Sequence, residues 1–172
     1  MNSSTPYSIA SYSIALCLPL LGVNTVATEL NVKLQLPRLN TAEYHKPYVA
    51  LWIETGDHTF SNNLAVWYDP PKGDKWLKDV RQWWRQSGRD MKLPLDGLSS
   101  PTRGPGDYDL KFSNAAIDKL PAGQYQLVVE AAREHGGREV VRVPFELPAK
   151  TAQTYSGKGM EELGNISLQL KR

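Results

Sequence analysis

Apolar and polar residues alternate with a period of two along much of this chain. The clearest case is residues 120–147, LPAGQYQLVVEAAREHGGREVVRVPFEL, where every second residue of each arm is apolar. This alternation predicts two strands that each bury one face. Gly136 and Gly137 lie between the arms and predict a tight turn that uses their positive φ angles. We therefore expect a β-hairpin here.

Five other segments show strand patterns and are bounded by turn residues: 30–36, 48–54, 64–68, 107–112 and 164–170. With the hairpin they make about seven strands, which is typical of an antiparallel sandwich. The fold class we predict is all-β, an Ig-like antiparallel β-sandwich.

One segment, residues 75–87 (KWLKDVRQWWRQS), breaks the period of two. Asp74 is a suitable N-cap before it, and Gly88 a suitable stop after it. The segment predicts one amphipathic helix of three turns inserted between strands, because its apolar residues recur at helical spacing. These residues are Trp76, Leu77, Val80, Trp83 and Trp84.

Two tryptophans of the predicted strands, Trp52 and Trp67, are out of phase with the aliphatic residues around them. An exposed pair of tryptophans on a sheet is costly, so another element should cover them. We expect the inserted helix to do so, with Trp83 or Trp84 packed on both, outside the sandwich core.

Residues 1–27 contain no Lys, Arg, Asp or Glu, and residues 14–23 form a short apolar run followed by small residues. This pattern is typical of a secretory signal peptide, and the run is too short to span a bilayer comfortably. We predict an exported domain of residues 28–172, without stable membrane insertion after cleavage. Cys17, the only cysteine, lies in the predicted signal, so disulfides and thiolate ligands are excluded from that domain.

The charges nearly balance, with 20 Lys and Arg against 18 Asp and Glu, for a net charge of +2. Nucleic-acid-binding domains usually carry a strong positive excess. The sequence therefore gives no reason to expect a nucleic-acid partner.

Four segments, PYVALWIE, WLKDVRQWW, PTRGPGDYDL and LPAGQYQLVVEAAREHGG, together span residues 47–137. As a set they resemble the bacterial periplasmic family catalogued as domain of unknown function 2271. LPAGQYQLVVEA alone also resembles the Ig-like domain of flagellar hook-capping proteins. The first resemblance implies a periplasmic Ig-like domain with an accessory role in siderophore or metal uptake. It implies no catalytic residues.

The tip of the predicted hairpin is the first candidate site, because His135 lies near Glu134 and Glu130. Imidazole and carboxylate groups together bind first-row metal ions. The alternative is a polar hairpin tip in which Glu130 pairs with Arg142 or Arg133 across the strands.

A second candidate is the set of three histidines, His45, His58 and His135. Together they could hold zinc, copper or haem. Their spacing in the sequence does not establish that they converge.

The polar side of the predicted helix is a third candidate. Lys75, Lys78, Arg81, Arg85 and Arg89 recur every three or four residues. An acidic partner, an anionic ligand or a membrane surface would suit such a stripe, and the alternative is a solvated helix face. The binding surface we predict consists of Lys78, Arg81, Arg85, Trp83 and Trp84.

A cluster of aromatic residues is a fourth candidate, since tryptophans exposed on a sandwich could stack on sugars or on a planar cofactor. Its members are Tyr48, Trp52, Trp67, Tyr68, Trp76, Trp83 and Trp84. Their alternative role is packing beneath the helix.

Motifs for a nucleophile elbow, a phosphate-binding loop or a zinc protease are not found in the sequence. The sequence thus favours a non-catalytic binding or accessory module with an envelope protein as partner. A small metal- or haem-binding protein that uses Glu134 and His135 is the first alternative, and an enzyme of unknown reaction is the second. The sequence identifies no cofactor and indicates no oligomeric state.

Overall fold

The protein is an antiparallel β-sandwich with short helical segments, as the alternation predicted. The computed structural model describes residues 28–70, 73–113, 115–149 and 151–171. The predicted signal peptide lies outside these residues. The described ranges contain nine strands: β1 (Glu29–Leu36), β2 (Tyr48–Thr55), β3 (Phe60–Trp67), β4 (Ser99–Ser100), β5 (Gly106–Phe112), β6 (Gly123–Ala132), β7 (Arg138–Leu147), β8 (Gln153–Lys158) and β9 (Asn165–Lys171).

The strands form two sheets. One sheet has four strands in the order β5-β1-β9-β8, and the other has five in the order β4-β3-β2-β6-β7. The pairings are antiparallel except for the short one between β3 and β4, which is parallel. The sequence pattern predicted seven of these strands, and β4 and β8 are additional.

The main core lies between the two sheets, because alternate side chains of each strand point inward. On β1, Leu30, Val32, Leu34 and Leu36 are at most 2% exposed. The predicted hairpin contributes the apolar positions of both arms to the same core: Tyr125, Leu127, Val129, Ala131, Val141, Val143, Phe145 and Leu147.

A second, smaller core lies on the outer face of the five-stranded sheet. Trp52 is fully buried there with Val66, Val128 and Trp83. The prediction that the Trp-rich segment covers Trp52 is confirmed.

The prediction for Trp67 is wrong, because Trp67 lies in the main core. The register between β2 and β3 shifts: Leu51 is opposite Ala65, but Trp52 is opposite Asn63. Leu64 is thus the extra residue of a β-bulge, which reverses the alternation of side chains that follow it.

The segment predicted as one helix is divided into short pieces. A 3-10 helix (Asp74–Asp79) precedes α1 (Arg81–Gln86), a second 3-10 helix (Gly88–Asp90) follows, and α2 (Ala115–Asp118) lies after β5. The break is at Val80, whose ψ of 71° is not helical. A single helix over residues 75–87 is therefore wrong, although the segment is helical and amphipathic.

The β6–β7 loop also differs from the predicted two-residue turn. Ala132 pairs with Arg138, so five residues connect the strands. The positive φ, 52°, belongs to His135 rather than to a glycine. Position 137 requires glycine for a different reason, the close approach of its backbone to Glu162. A Cβ there would lie 2.6 Å from a carboxylate oxygen of Glu162.

Candidate functional site

Trp83 anchors α1 to the outer face of the five-stranded sheet. It is 1% exposed, and its indole N–H donates to Asn63 Oδ1 over 2.8 Å. Gly88 lies against the ring, where a Cβ would be 2.5 Å from Trp83 Cζ3. Of the predicted binding surface, Trp83 is therefore a buried anchor, whereas Trp84 is half-buried beside it.

Glu130 provides the N-terminal cap of α1 from the neighbouring sheet. Its carboxylate is fully buried and accepts the backbone N–H groups of Gln82 and Trp83 at 2.9–3.1 Å. These N–H groups belong to the first turn of α1, where a helix provides no acceptors of its own. Val80, the residue at the cap position, makes no side-chain cap. A carboxylate at this end also interacts favourably with the helix dipole.

Arg138 balances the buried charge of Glu130, with its Nε 2.6 Å from the carboxylate. The suggested pairing of Glu130 with Arg142 or Arg133 is therefore wrong. The structure also does not bring Glu130 to Glu134 and His135, because its carboxylate is enclosed under α1.

Glu54 forms a second buried carboxylate under the same helix. It accepts hydrogen bonds from Trp52 Nε1, Gln86 Nε2 and Arg142 Nε at 3.0–3.2 Å. Burial alone raises the pKa of the Glu54 carboxyl, but these donors more than offset it, so the pKa lies below its ordinary value.

Gln82 links the two carboxylates into one network. Its backbone N–H binds Glu130, and its side-chain Oε1 accepts from Arg142 Nη2, which belongs to the same guanidinium that binds Glu54. A continuous polar layer thus lies between α1 and the sheet. Removing one of these hydrogen bonds leaves a buried donor or acceptor unsatisfied. The free-energy cost of that group exceeds the net stabilisation that the hydrogen bond itself contributes.

The solvent side of the segment carries four exposed cations, Lys75, Lys78, Arg81 and Arg85. The ammonium groups of the two lysines lie 5.1 and 5.9 Å from the centre of the half-buried Trp76 ring. Among the described residues, none of the four cations has an ion pair. Arg89, the fifth member of the predicted stripe, pairs with Asp90 at 3.6 Å.

The predicted hairpin tip meets the segment that precedes β2. Tyr48 pairs with Ala132, so residues before the start of β2 lie beside residues after the end of β6. The rings of His45 and His135 are 5.9 Å apart at their centres. Glu134 lies between them, 3.8 Å from His45 Nδ1 and 3.9 Å from His135 Nε2.

His58 lies elsewhere, in the turn after β2. It is 60% exposed and its Nδ1 is 3.4 Å from Glu54. The structure therefore brings together two of the three histidines, and His45 replaces Glu130 in the candidate group at the hairpin tip. Strand pairing is the signal that would have found His45, since it lies three residues before Tyr48.

A buried ion pair holds the tip in place. Arg133 and Glu162 are 7% and 4% exposed and 3.0 Å apart, and Glu162 also accepts the Gly137 N–H at 2.8 Å. Next to Arg133, burial raises the pKa of the Tyr44 phenol above its ordinary value.

In the described ranges, groups of three or more His, Cys, Asp or Glu side chains already arranged to hold a metal ion are absent. In the same ranges, every helix falls short of the length and apolarity that a membrane-spanning helix requires.

Comparison with known protein families matches residues 29–165 to DUF2271, described as a predicted periplasmic protein. The matched range includes strands of both sheets, from β1 to the first residue of β9. The periplasmic location predicted from the sequence agrees with this description. Comparisons with curated proteins and with solved structures gave no significant match.

Proposed function

Because the chain belongs to the DUF2271 family of predicted periplasmic proteins, we propose that it is a non-catalytic binding module of the cell envelope. The docking surface is the solvent side of α1 and of the 3-10 helix before it. Its ligand is an acidic segment of an envelope protein.

The observation that carries this proposal is a contrast between two sets of cations in one region. Arg138 and Arg142, beneath α1, are each bound to a buried carboxylate. Arg81 and Arg85, above it, are exposed and lack ion pairs within the described residues. Unpaired cations on a fixed support attract an acidic partner and orient it on approach.

The support is fixed by the polar layer. A six-residue helix is far too short to be stable by itself, so α1 depends on the sheet below it. Buried ion pairs often stabilise a fold no better than apolar residues of the same size. We infer that the main role of Glu54 and Glu130 is to determine where α1 begins and which side of α1 faces solvent.

Both buried carboxylates already have their donors, which supports a binding role rather than acid–base catalysis. The partner we expect is an envelope protein of siderophore or metal uptake, the setting that the family resemblance implied.

The test is capture of partners from envelope extract by the purified protein after chemical cross-linking. We expect the wild-type chain to capture a specific protein and the charge-reversed variant Arg81→Glu/Arg85→Glu to lose it. Substitutions at exposed positions change stability little, so both proteins should melt at similar temperatures.

The matched control is Lys158→Glu/Lys171→Glu. It makes the same change in net charge at exposed positions of the four-stranded sheet, and it should capture the partner normally. Equal losses in the two variants would show that only net charge matters and would contradict a docking surface on α1. Binding of the wild type to anionic lipid vesicles, with no protein captured, would replace the protein partner by a membrane surface.

A further inference from the structure

We propose that His45, Glu134 and His135 form a binding site for a first-row divalent metal ion, at the end of the sandwich where β2 begins and β6 ends. The site is separate from α1 and does not depend on the docking surface. One imidazole comes from the loop before β2, and the other two ligands come from the β6–β7 loop.

The donor atoms lie slightly farther apart than the ligands of a bound small cation do. In a tetrahedral zinc site with bonds of about 2.0–2.2 Å, neighbouring donor atoms are about 3.3–3.5 Å apart. The two nitrogen–oxygen separations at Glu134 are slightly longer and involve different oxygens, since His45 Nδ1 is 3.8 Å from Oε2 and His135 Nε2 is 3.9 Å from Oε1. His135 is 78% exposed, so small rotations of its ring and of the Glu134 carboxylate would bring all three donors onto one ion.

The second nitrogen of His45 supports the same assignment. Nε2 is buried and lacks a hydrogen-bond partner among the described residues, yet Glu43 Oε1 is 3.4 Å away. A histidine that binds metal commonly donates its other ring N–H to a carboxylate, which fixes its tautomer and increases its basicity. His45 would thus bind the ion through Nδ1 and donate to Glu43 through Nε2.

The surroundings of the site have enough open volume and enough negative charge to accommodate a cation. A cavity of about 280 Å³ opens beside His45 and Glu134, and Asp69 and Lys46 also line it. In this lining the carboxylates of Glu134 and Asp69 outnumber the single ammonium group of Lys46. Water molecules would complete the coordination in the space that remains, as at metal sites with an open position.

The loop that carries two of the ligands is already ordered. The Arg133–Glu162 pair and the Gly137 N–H hold its two ends, while His135 adopts the left-handed conformation that turns its ring toward His45. Metal binding therefore requires side-chain rotation and does not require folding of the loop.

The first test is titration of chelator-treated protein with zinc chloride, followed by calorimetry. We expect one zinc ion per chain. His45→Ala and His135→Ala should each weaken binding at least about tenfold, since removal of an outer-shell partner alone has that effect. His58→Ala is the matched control, because His58 lies beside Glu54 in the turn after β2, and it should bind zinc as the wild type does.

The second test uses only the wild-type protein, so its result does not depend on whether the histidine variants fold. The ring ¹⁵N signals of the three histidines are followed by NMR during the zinc titration. The signals of His45 and His135 should shift or broaden together, and those of His58 should not. A wild-type dissociation constant weaker than about 1 mM, or equal effects on all three histidines, would overturn the proposal.

Discussion

The two outer faces of the sandwich differ although both belong to antiparallel sheets. On the five-stranded sheet, α1 and its flanking 3-10 helices cover the surface, and Glu54 and Glu130 are fully buried beneath them. On the four-stranded sheet, the outward side chains of β1 and β5 are half-buried or exposed. Lys33 and Asp109 form a loose pair there at 3.9 Å, with 71% and 66% of their side chains exposed.

The residue types at outward positions explain the difference. β2 and β6 place Trp52 and Val128 outward, and such apolar surface gains free energy when another element covers it. β1 places the polar residues Asn31, Lys33 and Gln35 outward, the first and last half-buried and Lys33 exposed, and polar side chains gain no free energy from an apolar cover. An antiparallel sheet can therefore have a solvated outer face or a covered one, and the second requires partners for its buried polar groups.

Loss of the Trp83 anchor on the covered face should have the largest effect on stability. Trp83→Ala should destabilise the protein by about 3–5 kcal/mol, the usual cost of removing a buried aromatic side chain. Urea denaturation measures this change. Trp84→Ala, at a half-buried position, should cost less, and Lys33→Ala on the open face should stay within about 0.5 kcal/mol. Similar values for Trp83→Ala and Lys33→Ala would show that α1 contributes no core.

A smaller effect concerns pH and the buried Glu54. Because its folded-state pKa lies below the ordinary value of 4.5, the unfolded chain binds a proton first as the pH falls. The stabilisation from this group is complete above the unfolded pKa and is lost as the pH falls through the folded pKa.

Glu54→Gln removes this titration. The free energy of unfolding, measured by urea denaturation from pH 7 downward, should fall more steeply below pH 4.5 for the wild type than for the variant. Parallel profiles for the two proteins would mean that Glu54 is not held as a carboxylate by its donors.

Much of the sandwich could be predicted because burial of one face produces alternation in the sequence. The sequence pattern does not predict β8, because five of its six residues are polar or glycine and four of its six positions are exposed. β4 has only two residues. Trp67 was assigned to the wrong face because a bulge at Leu64 leaves no recognisable mark in the residue types.

The candidate sites were harder to predict because they depend on which strands are neighbours. Glu130 is close to Glu134 in the sequence, but its place inside β6 directs it under α1, whereas Glu134 follows the end of that strand. His45 is far from His135 in the sequence and meets it through the pairing of β2 with β6. Glu54 could have been noticed as a carboxylate in the apolar strand YVALWIE.

The carboxylate of Glu130 holds α1 on the sheet and so fixes the basic surface above it. Hydrogen exchange at the backbone amides of Gln82 and Trp83 measures this role of Glu130, since in the described structure both amides donate to its carboxylate. In the wild type both amides should exchange slowly, and in Glu130→Ala they should exchange fast while the amides of β2 stay protected. Fast exchange in the wild type, or the same slow exchange in the variant, would contradict the claim.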